Sequence, residues 1–186
     1  MKKILQFKIT LCDIKPAIWR RIQISEKATF DDLHKAIQDS MGWLDYHLYA
    51  FHPEGVGHRR GHRALEIGIP DEDGSDYDEM IDYDARKTKV IDFLNKKMLY
   101  HYDFGDDWEH EILFEGTFPA VPKTKYPSCI DGQRACPPED IGGPYGYATF
   151  LEAIVDKNHP EYESYHEWID GEFDPKAFDI KQVKFR

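Results

Sequence analysis

The sequence predicts one domain in which antiparallel strand pairs pack with a few helices, and three observations predict it. Apolar and polar residues alternate in paired runs, 4–11 with 17–24 and 100–104 with 108–115, the period of two expected of half-buried strands. Residues 29–41 and 147–155 instead repeat apolar side chains at helical spacing. A length of 186 residues suits one core, since domains commonly run to about 100–200 residues.

Taken in order, residues 4–11 and 17–24 form an opening antiparallel pair, broken at Asp13-Ile-Lys-Pro16 by a proline that cannot continue a ladder. Thr29 caps a helix whose first turn holds Asp31 and Asp32 near the positive end of the dipole. Leu33, Ile37 and Met41 share its inner face, and Gly42 ends it. Residues 48–51 and 64–69 read as strands. The loop at 55–61 between them carries His58, Arg59 and Arg60, with His62 just beyond. Residues 71–84, acidic and holding Gly74 and Ser75, read as a solvated loop. A short helix at 90–94 precedes the second strand pair. Residues 119–146 are rich in proline and glycine, yet their aromatics and cysteines favour an ordered loop over a flexible linker. Helices at 147–155 and 161–169 follow, and Phe173, Phe178, Val183 and Phe185 close the chain against the core.

The formal charge of -11 argues against the phosphate-neutralising contacts that dominate nucleic-acid affinity. The one basic cluster, Lys15, Arg20 and Arg21 around Trp19, reads as an ordinary strand face. Cys12, Cys129 and Cys136 make an odd count, and no apolar stretch follows Met1-Lys-Lys. A reduced, cytoplasmic setting with buried, inert thiols is the expectation. No apolar run reaches the ~20 residues that cross a bilayer, so no membrane association is expected.

The densest chemistry lies in Tyr100-His-Tyr-Asp-Phe-Gly-Asp-Asp-Trp-Glu-His110. A hairpin turn at Gly105-Asp106-Asp107, with Gly105 expected at positive φ, gathers carboxylates that repel unless solvated, protonated or matched by cations. A protein or peptide partner is the leading expectation. It would meet Asp103, Phe104, Asp106, Asp107, Trp108 and His110 on the hairpin, with Glu139, Asp140 and Tyr145 on the 135–147 loop. The alternative is a metal-dependent hydrolase. Its divalent ion would take ligands from His34, His47, His101, Asp103, Asp106, Asp107 and His110, with Glu139 or Asp140 as general base.

No complete catalytic template occurs. His110-Glu-Ile-Leu and His166-Glu-Trp-Ile lack the final histidine of a zincin helix. Asp103-Phe-Gly105 stands without the other kinase motifs. Residues 71–82 lack the glycine that a calcium loop needs at its sixth place. Cys129 and Cys136 are spaced unlike zinc-ribbon pairs, and nothing local lowers the pKa of Cys136 for a nucleophilic pair with His110. A binding domain without a resident cofactor is therefore favoured over an enzyme.

Five segments occur in a distinctive order: Phe7-Lys-Ile-Thr-Leu11, Ile14-Lys-Pro-Ala-Ile-Trp-Arg-Arg-Ile22, Tyr102-Asp-Phe-Gly-Asp-Asp-Trp-Glu-His110, Ala135-Cys-Pro-Pro-Glu-Asp-Ile-Gly-Gly-Pro144 and Phe173-Asp-Pro175. Together they resemble the plasmid pRiA4b ORF-3-like family over nearly the whole chain. The resemblance implies a single α+β, roll-like domain over 1–186, mainly an antiparallel sheet packed with about three to four helices. It also implies an association of some relatives with plasmids and mobile elements, and it supplies no activity. Relatives often carry histidine where this chain has Tyr49, so a role needing a second histidine beside His47 does not carry over.

Overall fold

The computed structural model describes residues 2–53, 64–70, 80–169 and 171–186. Its centre is an eight-stranded sheet of β1 (Lys3–Leu11), β2 (Trp19–Ser25), β3 (Tyr49–His52), β4 (Ile67–Gly68), β5 (Tyr83–Asp84), β6 (Lys97–Tyr102), β7 (Trp108–Pro119) and β8 (Ser128–Gln133). The spatial order is β5-β4-β3-β6-β7-β1-β2-β8, and every neighbouring pair is antiparallel except β4 with β5. Helices α1 (Phe30–Met41), α2 (Gly143–Ala153) and α3 (Tyr162–Trp168) make the fold α+β.

The alternation sorts the sheet as the sequence predicts. Leu5, Phe7, Ile9 and Leu11 of β1 are buried, as are Tyr100 and Tyr102 of β6 and Trp108, His110 and Ile112 of β7. Against them packs α1, begun by a capping box in which Thr29 and Asp32 bond each other's backbone and ended by Gly42 at φ 89°. Its buried Phe30, Leu33, Ile37 and Met41 each contribute about 1.5–3 kcal/mol on removal from water.

Three expectations need correction. Within the 119–146 stretch, read as loop, β8 pairs with β2 from Trp19↔Gln133 to Gln23↔Ser128, and α2 already begins at Gly143, so the end of the expected 135–147 loop, Tyr145 included, is helical. The acidic segment ends in structure: Tyr83 and Asp84 form β5 beside β4, and Asp82 accepts a hydrogen bond from the amide of Glu66. The predicted strand at 64–69 is only Ile67–Gly68. The 55–61 loop and residues 71–79 lie outside the described residues.

Both arginines of the basic cluster are held internally, while Lys15 is exposed. Arg20 is buried; its Nε donates to Ser40 O at 2.8 Å and its Nη1 to Trp19 O and Gln133 O at 2.9 and 3.1 Å, with the guanidinium 4.1 Å over Phe178. Ser40 O is among the last-turn carbonyls of α1 that lack a helical partner, so a residue of β2 caps the helix. Arg21 bonds Glu115 and Asp131. Arg20→Met, which leaves three carbonyls without that donor, is expected to destabilise the protein by about 3 kcal/mol in urea unfolding. Arg20→Lys should recover only part, lacking the planar fork. A loss below about 1 kcal/mol for Arg20→Met would refute the capping role.

Candidate functional site

Three segments converge at one end of the sheet: residues 42–48 between α1 and β3, the 103–107 turn between β6 and β7, and residues 134–142 leading into α2. Side-chain to backbone bonds fasten them. Trp43 Nε1 donates to Pro137 O at 2.9 Å. One oxygen of Glu139 accepts from Leu44 N at 2.8 Å and the other from Tyr102 OH at 2.6 Å, while Tyr102 Oη accepts from Tyr46 N. Burial, reinforced by Glu139, pushes the Tyr102 phenol well above its ordinary pKa, so it stays a donor. Gly142 N donates to Asp106 Oδ2 at 3.0 Å, and Asp103 N to Leu48 O.

The turn departs from expectation in one respect. Gly105 is not among the positive-φ residues; Asp103 and Asp107 are, at 54° and 59°. Aspartate tolerates that region because its short carboxylate can bond nearby backbone. Asp103 Oδ1 does so, accepting from the amides of Gly105 at 3.0 Å and Asp106 at 3.3 Å.

Of the predicted ligands, the structure brings together His47 and Asp103 and adds Asp140. His47 Nε2 stands 2.9 Å from Asp140 Oδ1 and 3.5 Å from Asp103 Oδ2. Asp106 faces Gly142, and Asp107 Oδ1 lies 2.7 Å from His101 Nε2. His34 sits apart in the core: Nδ1 meets Tyr100 Oη at 2.8 Å, Nε2 meets Asp45 Oδ1 at 2.6 Å, and the ring stacks on Tyr49 at 3.6 Å. That stacking occupies position 49 with core packing.

His110 is fully buried, and its ring nitrogens meet no side-chain partner, only the backbone of Trp108 and Tyr100 outside good hydrogen-bond geometry. Burial drives its pKa down to about 3. It is therefore a neutral core residue, packed edge-on to Trp43, where the sequence reading made it a ligand or partner contact. Trp108 is likewise buried. Alternation with the buried Tyr100 and Tyr102 already placed both inward; their residue types suggested a site, and the pleat decides otherwise. No Cys136–His110 pair forms, and burial pushes the Cys136 thiol up to about 12. Both oxygens of Glu139 are engaged, which speaks against its use as a general base.

Around the trio lies a rim of exposed apolar side chains, Leu44, Tyr46, Leu48, Phe104 and Tyr145. Phe104 and Tyr145 were expected there. The first three were missed, although residues 44, 46 and 48 alternate out of step with the inward Trp43 and Tyr49.

The family model described as plasmid pRiA4b ORF-3-like protein matches residues 3–182. The chain is 35% identical over 185 residues to the uncharacterized protein y4hQ of Sinorhizobium fredii, covering 97% of this chain and 88% of that protein. It is also similar to the crystal structure of MM3350, a protein of unknown function from Methanosarcina mazei Go1, at 39% identity and a TM-score of 0.85, covering 100% of this chain and 99% of that one. Among the described residues no helix is long and apolar enough to cross a membrane. With a match across 3–182, and a sheet and hairpin built from the segments that suggested it, the chain belongs to the plasmid pRiA4b ORF-3-like family.

Proposed function

We propose that this protein is a binding domain whose three-loop end receives a segment of a protein or peptide partner carrying apolar side chains around a lysine or arginine. The observation that supports it most is the pairing of exposed apolar side chains with fixed backbone: Tyr145 is 90% and Tyr46 70% exposed, yet the 42–48 loop bearing one and the segment leading into the first turn of α2, which bears the other, are bonded into the same end of the sheet. Exposed aromatics on rigid loops lose little entropy on contact, which is how interface anchors contribute affinity. Charge sets the partner's sign. The Asp107 side chain is 73% exposed and Asp140 is exposed too, and the chain's charge of -11 steers basic partners at low ionic strength.

Panning a phage-displayed random peptide library against the immobilised chain tests this. Enriched peptides should place Lys or Arg among apolar residues and should lose at least tenfold in affinity for Phe104→Ser/Tyr145→Ser. Their association should slow as salt rises. Absence of enrichment, or peptides that bind the double variant equally well, would remove the assignment.

A further inference from the structure

Asp103 is only 8% exposed, and a carboxylate so deeply placed is costly unless a cation or donors compensate it. Its Oδ1 is compensated by two turn amides. Its Oδ2 faces His47 Nε2, beyond which lies Asp140 Oδ1, and the three donor atoms all lie within 4.8 Å of one another. Among the described residues no lysine or arginine forms an ion pair with Asp103 or Asp140. The trio thus sets two carboxylates against one imidazole whose Nε2 now bonds Asp140, and a divalent ion would take the place of the proton in that bond.

The spacing fits an ion. Nitrogen and oxygen ligands about 2.0–2.2 Å from a transition metal stand about 3.0 Å apart along an octahedral edge and about 3.4 Å in a tetrahedron. The separations of 2.9 and 3.5 Å at His47 Nε2 bracket those values before any ion binds. The mixed nitrogen and oxygen donors suit zinc, manganese or ferrous iron better than calcium, which takes six to eight oxygens. The amides on Asp103 Oδ1 fix that carboxylate as outer-shell bonds do in metal sites.

We propose that His47 Nε2, Asp103 Oδ2 and Asp140 Oδ1 bind one divalent first-row transition-metal ion, with its remaining coordination positions open on the exposed side of Asp140. The site goes beyond the partner reading and does not depend on it, because the ion is measured on the chain alone. Chelator-stripped full-length protein is titrated calorimetrically with Zn2+ and separately with Mn2+, beside His47→Gln, Asp140→Asn and Asp103→Asn. One equivalent of at least one ion should bind, and each variant should weaken it by about 100-fold or more, ligand loss exceeding the effect of outer-shell changes. Asp103→Asn keeps an oxygen for the turn amides, and its melting temperature verifies folding; should it fail to fold, the two accessible positions decide. No saturable uptake of either ion, or uptake that His47→Gln and Asp140→Asn retain, overturns the site. Retained uptake places the ion elsewhere. Failure of the peptide enrichment leaves this result untouched, and the reverse holds too.

Discussion

Lowering the pH from 7 to 4.5 is expected to remove about 2–3 kcal/mol of stability through His110 alone. The folded-state pKa of about 3 lies below the ordinary imidazole value of 6.5, so the folded chain binds this proton less readily than the unfolded one. A base depressed in this way contributes its full stability above pH 6.5 and loses it as pH falls toward 3. The slope over that window is about 1.4 kcal/mol per unit. The cause is local: the ring is fully buried, wedged against Trp43 and Tyr100, and the weak backbone contacts of Trp108 and Tyr100 do not offset the loss of water. Asp84 and Glu115, both held below their ordinary values by arginine, lose their own contributions mainly below pH 4.5. The comparison that isolates His110 is therefore with His110→Leu, of similar volume and unable to charge. Urea unfolding should find the two within about 1.5 kcal/mol at pH 7. The difference should then move in favour of the variant by about 2–3 kcal/mol at pH 4.5. Parallel stability curves for the two proteins across that range would show that His110 does not carry the acid sensitivity.

The fold was legible wherever the side-chain period was forced by one buried face. Lys3–Leu11, Trp19–Ser25 and the Lys97–Pro119 hairpin follow from alternation, and α1 follows from Thr29, Asp32 and Gly42. β8 was not legible, because Ser-Cys-Ile-Asp-Gly-Gln has little strand preference of its own. Only pairing with the edge of β2 makes it a strand, and pairing is a property of the neighbour. The site divides in the same way. His47 and Asp103 could be suspected as ligands from their type and Asp140 as a partner contact or general base, but Asp140 lies 93 residues from His47, and no spacing rule spans such a gap to make it a third ligand. Conversely, His34 and His110 have the right chemistry in the wrong place, since helix packing and strand pleat turn them inward. Of the two left-handed turn positions, Asp103 offsets its strain by accepting its own turn's amides, whereas the Asp107 carboxylate meets His101 instead.

Gly143→Ala is expected to be among the most damaging single-methyl additions in the chain, lowering stability by about 3 kcal/mol and the melting temperature by about 6–12 °C. Two costs coincide there. The residue holds φ 67°, which a side chain rarely adopts, and a Cβ on it would overlap the carbonyl of Asp106 at the hairpin tip. Backbone cannot rotate aside as a flexible side chain can, so the 140–143 segment or the turn must shift. Gly42→Ala provides the control. It sits at φ 89° with nothing near the added methyl, so it should lose only the roughly 1–2 kcal/mol of left-handed strain. Gly146→Ala gives the complementary case, an ordinary helical φ with a Cβ that would overlap the carbonyl of Ile141. It should fall between the other two or match Gly143→Ala. Because Gly142 is tied to Asp106 and Asp140 lies two residues earlier, a shift at Gly143 should also separate Asp140 from His47 and weaken ion uptake at the trio, whereas Gly42→Ala should leave that uptake unchanged. Equal melting losses for Gly143→Ala and Gly42→Ala would mean that the hairpin tip and the 140–143 segment are not in the close contact on which the site depends.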